Sequence, residues 1–323
     1  MAGITAGISR GRAGQQTASP TDANIVVWHL PGFQRVLQLA LAAAWLFDAV
    51  LQLQPFMFSR AFGGQMLAAT ANGNPGGIAR SITWATRHIS VHSVAAGTVF
   101  AVIQLLIGLM IAWRPTLRLG LAISIPWSIG VWWVGEGAGG VFTSQASPLM
   151  GAPGAVLIYA LLAVLLWPSR PRAGERCVAD RPLGASVARV AWALLWCSMA
   201  FFALLAANRA PDGLTHMIAG MAPGGPPWLS ALDNHVAHLL AGRGLGASVV
   251  LALLCVVVAF GIFGPAVVAR SALVLSVVLA AAIWVVGEAF GGIFSGAATD
   301  PNSGPLLVLL AAAYWPLYHS EAI

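Results

Sequence analysis

Two glycine-rich segments each place one carboxylate at the end of an apolar run. They read WWVGEGAGGVF over residues 132–142 and WVVGEAFGGIF over residues 284–294. An ionisable group inside such apolar sequence is costly to bury, and it normally faces a helix-bundle interior or a wet cavity. Glu136 and Glu288 are therefore candidate ligand-binding residues. In the structural alternative, each carboxylate accepts hydrogen bonds from the backbone of its own glycine turn.

Histidine pairs supply a second candidate chemistry. His88 and His92 are four residues apart and His235 and His238 are three apart, so each pair falls on one face of a helix. Imidazole, carboxylate and the neighbouring methionine thioethers together suit a copper or zinc ion. We therefore predict these four histidines as candidate metal ligands. Interfacial histidines that bind no metal are the alternative.

A few further polar and aromatic residues could complete such a site. Asp48 lies in an apolar run beside two glutamines, and we include it among the ligand-binding candidates, with interhelical hydrogen bonding as the alternative. Trp132 and Trp284 precede the two glutamates by four residues. They are predicted to wall a pocket, unless they only pack in the core.

The composition defines the elements that must position these residues. Of the 323 residues, 59% are hydrophobic and 8% are charged, with a mean hydropathy of +0.82. A soluble domain carries about 25% charged residues, so most of this surface cannot face water. The apolar runs approach the ~20 residues that cross a bilayer as a helix. They lack the alternation of barrel strands. The predicted class is an all-α integral membrane protein.

The apolar runs predict about eight transmembrane helices. Charged, proline-rich and glycine-rich segments separate them. The predicted spans are 34–57, 88–112, 117–136, 152–168, 187–207, 235–262, 266–287 and 303–318.

The chain repeats itself with an offset of about 151 residues. An offset of 152 matches Trp132 with Trp284, Glu136 with Glu288, and Pro153 with Pro305. Such matches indicate an internal duplication. Because each half holds four predicted spans, the halves form two parallel four-helix repeats. The predicted organisation is an N-terminal tail (1–31), a first repeat (32–168), a linker (169–186), a second repeat (187–318) and a C-terminal tail (319–323).

The arginines orient the predicted spans. With an even number of spans both termini lie on one side, and that side holds more arginine than the other. By the positive-inside rule both termini are cytoplasmic, in the plasma membrane, and the two glutamates face outward. The arginines on the terminal side are Arg10, Arg12, Arg114, Arg118, Arg170, Arg172, Arg176, Arg181, Arg189 and Arg270. Those on the other side are Arg60, Arg80, Arg87, Arg209 and Arg243.

Each half resembles the small four-helix membrane proteins of the DoxX type. The resemblance rests on an arginine-led first helix (Arg35, Arg189), a length of four spans, and Glu-x-x-Gly-Gly at a helix end. It covers residues 32–168 and 187–318. Some members of that family are linked to quinone redox chemistry, and the resemblance implies this chemistry as one alternative here.

Three functional hypotheses follow from the sequence. The first is transport or binding of a small molecule or metal ion at a duplicated outer-face Glu/His site. The second is a membrane subunit of a quinone-linked redox system, and the third is a non-catalytic scaffold for another membrane protein or for a second copy of itself. The lipid bilayer is the predicted surroundings in each case. The basic arginines lie between spans, which favours membrane orientation over nucleic-acid binding.

Overall fold

The computed structural model describes residues 30–170, 175–222 and 225–316, and every regular element in these residues is a helix. The predicted N-terminal tail (1–31) falls almost wholly outside the described residues, and the predicted C-terminal tail (319–323) does so completely. The all-helical prediction is confirmed for the described part of the chain.

The first half of the chain contains five α-helices within its described residues, 30–170. They are α1 (Leu30–Leu51), α2 (Gly76–Val91), α3 (Ser93–Ala112), α4 (Leu117–Val134) and α5 (Ala155–Leu165).

The second half, from residue 175, contains eight α-helices, of which two are single turns. They are α6 (Asp180–Leu183), α7 (Ala185–Ala203), α8 (Ala206–Arg209), α9 (Gly213–Met221), α10 (Pro227–Leu240), α11 (Gly244–Gly261), α12 (Ala266–Ala282) and α13 (Ser303–Ala313). A π-helical turn, Ile283–Gly287, extends α12.

In the described part of the chain, six helical segments are long and apolar enough to cross a membrane. They are Gly32–Leu51, Ser93–Ala112, Arg114–Val134, Ala185–Ala203, Gly244–Gly261 and Ala266–Gly287. The predicted fourth and eighth spans are shorter: α5 and α13 have 11 residues each. At 1.5 Å per residue each is roughly 16 Å long, about half of a ~30 Å hydrocarbon core.

The predicted second and sixth spans begin too early. The segment predicted as 88–112 is broken at His92, whose φ of −110° and ψ of 41° are not helical, so that the membrane-length helix starts at Ser93. Likewise, 235–262 is divided between α10 and α11. In both places the predicted span included the end of an amphipathic helix (α2 or α10) in front of the long apolar helix (α3 or α11).

The exposed faces of the long helices are apolar. Only 33% of the most apolar stretch of α3 is buried. The exposed residues of α3 include the large apolar side chains Val94, Leu105 and Leu109. In water such a surface would be an aggregation-prone patch. Exposed apolar helix faces therefore agree with a helical membrane protein.

The two halves share one continuous core. Buried residues of α1 and α5 pack with those of α7, α11 and α13 in a single cluster that contains Trp45, Tyr159, Trp192 and Leu310. The ring centroids of Trp45 and Tyr159 are 4.4 Å apart. The halves are thus packed side by side rather than strung as separate bodies.

At the end where α1 begins, polar side chains fix the last helix of the first half. Gln34 Nε2 donates to the carbonyl oxygens of Leu166 and Trp167 at 3.2 Å each, and Gln38 Nε2 donates to Leu166 O at 2.9 Å. Arg181 in turn donates to Gln34 Oε1 at 2.7 Å. These bonds satisfy carbonyls that the end of α5 leaves free, and they bring the short α5 to the end of the bundle where α1 begins.

Candidate functional site

The Glu end is the opposite end of the bundle, where α1 stops and where Glu136 and Glu288 lie. After α4 the chain turns through Gly137 and Ala138, both with positive φ, and then returns to start α5. Glu136 Oε1 accepts a hydrogen bond from Val156 N at 3.2 Å. The carboxylate therefore caps the first turn of α5, where helix N–H groups have no partner within the helix.

A glycine makes this cap possible. Gly154, directly before α5, has a φ of +128°, and a Cβ there would collide with Glu136 Oε2. Glycine adopts this backbone conformation without steric cost. The second carboxylate oxygen of Glu136 has no hydrogen-bond partner.

Glu288 caps α13 in the same way but uses both oxygens. Its Oε1 accepts from the backbone N–H (3.2 Å) and the hydroxyl of Ser303, and its Oε2 accepts from Gly304 N at 3.1 Å. Burial raises the pKa of Glu288 from 4.5 to about 7, although these hydrogen bonds act in the opposite direction. Glu288 is thus fully engaged in holding its own half together.

The two predicted tryptophans also hold the loops. Trp132 Nε1 donates to Pro153 O at 2.7 Å, and Trp284 Nε1 donates to Pro301 O at 2.8 Å. Pro301 therefore makes the contact that Pro153 makes, which corrects the sequence pairing of Pro153 with Pro305. Neither tryptophan lines the two cavities described below.

The histidines do not join the glutamates. His88, His92, His235 and His238 are all exposed, on or next to α2 and α10. His88 Nδ1 instead pairs with its own helix, 2.8 Å from Trp84 O. Among the described residues no three His, Cys, Asp or Glu side chains are grouped so as to hold a metal ion. The described residues bring no copper or zinc ligand set together around these histidines, because the histidines face away from the core, and the metal assignment stays a prediction.

Asp48 is one of the sequence candidates that line a cavity. It lies one turn before the end of α1, is 1% exposed, and lines an internal space of about 230 Å³ in the first half, which we call the chamber. The aromatic residues that line the chamber are Trp45, Phe62, Phe100 and Trp127. Its polar lining residues are Asp48, Gln52, Gln104, Glu136, Thr299 and Asp300.

Polar atoms without partners surround this chamber. Buried polar groups in proteins are nearly always hydrogen-bonded, so each exception calls for an explanation. The atoms concerned are Trp45 Nε1, Asp48 Oδ1, Gln52 Nε2, Gln104 Oε1, Trp127 Nε1 and Glu136 Oε2. Several unpartnered donors and acceptors around one cavity indicate that a polar ligand or water would bind in it.

Asp300 is the site residue that sequence reasoning missed. It lies in the loop before α13, where its Oδ1 accepts from Asn302 N and its Oδ2 from Thr299 Oγ1, both at 2.8 Å. The loop carries it from the second half to the chamber of the first half. A TDPN sequence is typical of a turn, and no local signal indicates that its carboxylate crosses to the other half.

Glu136 and Asp300 also line a second cavity, which we call the vestibule. It has a volume of about 320 Å³, and residues of both halves line it. Gln145 and Met150, which are exposed, belong to its lining, so the vestibule reaches the surface at the Glu end. The two carboxylates therefore stand between the surface and the chamber.

The carboxylates of this site disfavour one another's charge. Burial raises the pKa of Glu136 well above its ordinary value, and the nearby Asp300 carboxylate is the second cause of this rise. Burial likewise raises the pKa of Asp300. Asp48 lies close enough to Asp300 for the two to repel, with the Tyr159 hydroxyl beside it. The lining of neither cavity contains Arg or His, so no lining side chain compensates this negative charge.

The second half carries no equivalent polar set. The residues found 151 positions after Asp48, Gln52 and Gln104 are Met199, Ala203 and Cys255, and all three belong to the shared apolar core. The polar chamber is therefore lined mainly by the first half, and the second half contributes Thr299 and Asp300.

Fold and site together define a helical protein with six helices suited to a membrane and an acidic, aromatic-walled cavity near one end. No known protein family, curated protein or solved structure matches the chain. The resemblance to DoxX-type proteins therefore stays a prediction from the sequence.

Proposed function

We propose that this protein binds a small molecule in the chamber, reached through the vestibule, as the substrate site of a membrane transporter or membrane binding protein. The observation that carries the proposal is the set of unpartnered polar atoms around an otherwise apolar cavity, among them Asp48 Oδ1 and Glu136 Oε2. Leaving such groups buried without partners costs about 1–3 kcal/mol each, which a bound molecule or water offsets.

The proposal includes a topology of eight spans in two parallel four-helix repeats, with both termini cytoplasmic in the plasma membrane. The bonds from Gln34 and Gln38 to Leu166 O support it, because they bring the end of α5 back to the end where α1 begins. The short α5 and α13 then complete their crossings through the glycine-rich loops. Reporter fusions in the linker after residue 170 and after Ile323 are expected to report the cytoplasm. An external signal from either fusion would overturn this topology.

A chamber-filling variant tests the binding site itself. Gly130 in α4 lines the chamber, and a Cβ built on it meets nothing within 4 Å. Gly130 is exposed on α4, so Gly130→Phe introduces a ring at the outer edge of the chamber without a backbone clash. Gly246 in α11 is equally free of neighbours but does not line the chamber, so Gly246→Phe is the matched control.

Four probes of similar size distinguish the candidate functions: phenethylamine (a cation), 2-phenylethanol (neutral), phenylacetate (an anion) and menadione (a quinone). A ligand that binds the folded protein raises its melting temperature. We expect at least one probe to stabilise wild type and Gly246→Phe in detergent but not Gly130→Phe. If no probe separates Gly130→Phe from the wild type, the proposed binding site is wrong and the scaffold hypothesis gains.

The quinone-linked alternative has one observation in its favour. Trp45 Nε1, Gln52 Nε2 and Trp127 Nε1 are donors without acceptors, and quinone carbonyl oxygens could accept from them. The same melting experiment distinguishes a quinone site from a site for other small molecules. Stabilisation by menadione alone, lost in Gly130→Phe, would support a quinone site in place of a site for other small molecules.

A further inference from the structure

We infer that the ligand of the chamber is an organic cation with an apolar body, an alkyl or aryl ammonium whose charged group lies beside Asp48. The inference rests on the proposed binding site and adds the chemical class of its ligand.

The charge of the site gives the first argument. Asp48, Glu136 and Asp300 line the chamber, and none of its lining residues is basic. A buried carboxylate without a paired cation is strongly disfavoured, and a positive ligand removes that penalty. An anionic ligand would add to the repulsion among the three groups.

The spacing of the carboxylates argues against a simple metal ion. Asp48, Glu136 and Asp300 line one chamber, yet in the described chain no three acidic, His or Cys side chains are grouped to ligate one ion. A single metal ion needs its ligand atoms within about 2.0–2.6 Å of the ion. An ammonium group, by contrast, needs only hydrogen-bond contact with one or two acceptors, and it can lie near several carboxylates without touching each of them.

The unpartnered acceptors match an ammonium donor. Asp48 Oδ1 and Gln104 Oε1 are buried acceptors that make no hydrogen bond, on side chains that are 1% and 7% exposed, and the Tyr159 hydroxyl lies beside the Asp48 carboxyl. An ammonium brings up to three N–H donors and no acceptor. Charge-assisted hydrogen bonds of this kind are about twice as strong as neutral ones.

The walls of the chamber suit the rest of such a molecule. Phe100 lies between Phe62 and Trp127, with ring centroids 6.4 Å and 5.6 Å away. Aromatic faces attract organic cations and bury apolar groups. The chamber, about 230 Å³, is smaller than the ~300–1,000 Å³ of sites for drug-sized ligands, which favours a small amine.

Titration calorimetry on the full chain in detergent tests this inference. We expect phenethylamine to bind at least about tenfold more tightly than its neutral counterpart 2-phenylethanol. Asp48→Asn keeps the shape of the side chain but removes its charge, and it is expected to weaken phenethylamine binding at least about tenfold while leaving 2-phenylethanol unaffected.

Asp233→Asn is the matched control. Asp233 in α10 is also fully buried with both carboxylate oxygens unpartnered, but it lines neither the chamber nor the vestibule. This variant should bind phenethylamine as the wild type does. Loss of amine binding in Asp233→Asn equal to that in Asp48→Asn would overturn the assignment to Asp48.

Different results contradict the charge assigned to the ligand and the existence of the binding site. If 2-phenylethanol, phenylacetate or menadione binds as tightly as phenethylamine and Gly130→Phe abolishes that binding, the chamber is a binding site but not one for cations. If no probe distinguishes Gly130→Phe from wild type, the binding site itself is refuted. If Asp48→Asn folds poorly, as judged by its melting temperature, the comparison of phenethylamine with 2-phenylethanol on the wild type still decides the ligand charge.

Discussion

Glu136 and Glu288 occupy the same place in their halves, yet only Glu136 leaves a carboxylate oxygen unbonded at a cavity. Each accepts a backbone N–H from the first turn of the helix that ends its half. Glu288 uses both oxygens on Ser303 and Gly304, whereas Glu136 Oε2 has no partner. The duplicated carboxylate is therefore a helix cap in both halves, and in the first half it is also part of a candidate binding site.

Replacing each glutamate by glutamine should separate these two roles. In Glu288→Gln an amide N–H₂ replaces one of the two accepting oxygens, so a donor faces a backbone N–H or the Ser303 hydroxyl and one hydrogen bond loses its acceptor. We therefore expect a loss of about 1–3 kcal/mol in the free energy of unfolding. In Glu136→Gln the oxygen on Val156 N can remain, so the loss should be below about 1 kcal/mol. Chemical denaturation in detergent measures both.

Amine binding should follow the opposite order in the same two variants. Glu136→Gln is expected to bind phenethylamine several-fold more weakly, since a lining charge is gone, while Glu288→Gln keeps wild-type affinity. Equal effects of the two substitutions on binding would mean that the asymmetry of their hydrogen bonds has no functional consequence.

The stability of the protein should fall as pH rises through the acidic range. Burial raises the pKa of Glu288 from 4.5 to about 7, so between these values the folded state holds a proton that the unfolded state has released. Stability then decreases with pH, by up to about 1.4 kcal/mol per pH unit, and levels off above about pH 7. The pKa values of Glu136 and Asp300 are raised as well and act in the same direction.

Melting temperatures between pH 4.5 and 8 measure this dependence. Wild type should melt at lower temperature as pH increases, and Glu288→Gln should show a shallower decline because one titrating group is absent. A wild-type curve that rises with pH over this interval contradicts the burial of these carboxyl groups.

The loop-holding role of the two tryptophans predicts matched losses. Trp132→Phe and Trp284→Phe each remove one hydrogen bond to a proline carbonyl, of 2.7 Å and 2.8 Å. Each should cost about 1 kcal/mol of stability, with the expected range at 0.5–1.5. Because neither residue lines the chamber, the affinity of Trp284→Phe for phenethylamine should not change. A stable Trp284→Phe variant that no longer binds would return this residue to the ligand-binding set.

The exposed histidines predict an absence of tight metal binding. A variant with His88, His92, His235 and His238 all changed to Ala should contain the same copper and zinc per chain as wild type after purification and dialysis. Elemental analysis by mass spectrometry provides the measurement. Stoichiometric metal in wild type that the quadruple variant loses would show that these histidines form a site, for example between two copies of the chain.

The coarse fold could be predicted from the sequence because apolar length and charge depletion act locally. The exact ends of the helices are harder to predict from the sequence. At His92 the backbone leaves the helical conformation within a segment that mixes apolar and polar residues, and only packing against the rest of the bundle decides where α2 stops and α3 begins. The short α5 is a similar case, because it begins only at Ala155, after a glycine-rich loop.

The candidate site was only partly predictable for a related reason. Asp48 and Glu136 stand out as rare carboxylates in apolar sequence, so their burial follows from their neighbours. Asp300 lies in a polar turn, where a carboxylate attracts no notice, and reaches the chamber only because the two halves pack together. The histidine spacing placed His235 and His238 on one helix, α10, whereas His92 lies just beyond the end of α2, and it could not indicate that all four side chains are exposed.

Photoaffinity labelling with an aryl-azide derivative of phenethylamine tests the central claim most directly, because it locates the bound molecule. We expect cross-links in α3 and α4 at chamber residues such as Phe100 and Trp127, prevented by excess phenethylamine and absent in Gly130→Phe. Cross-links confined to outward-facing residues such as Leu105 and Leu109, unaffected by competition, would contradict it.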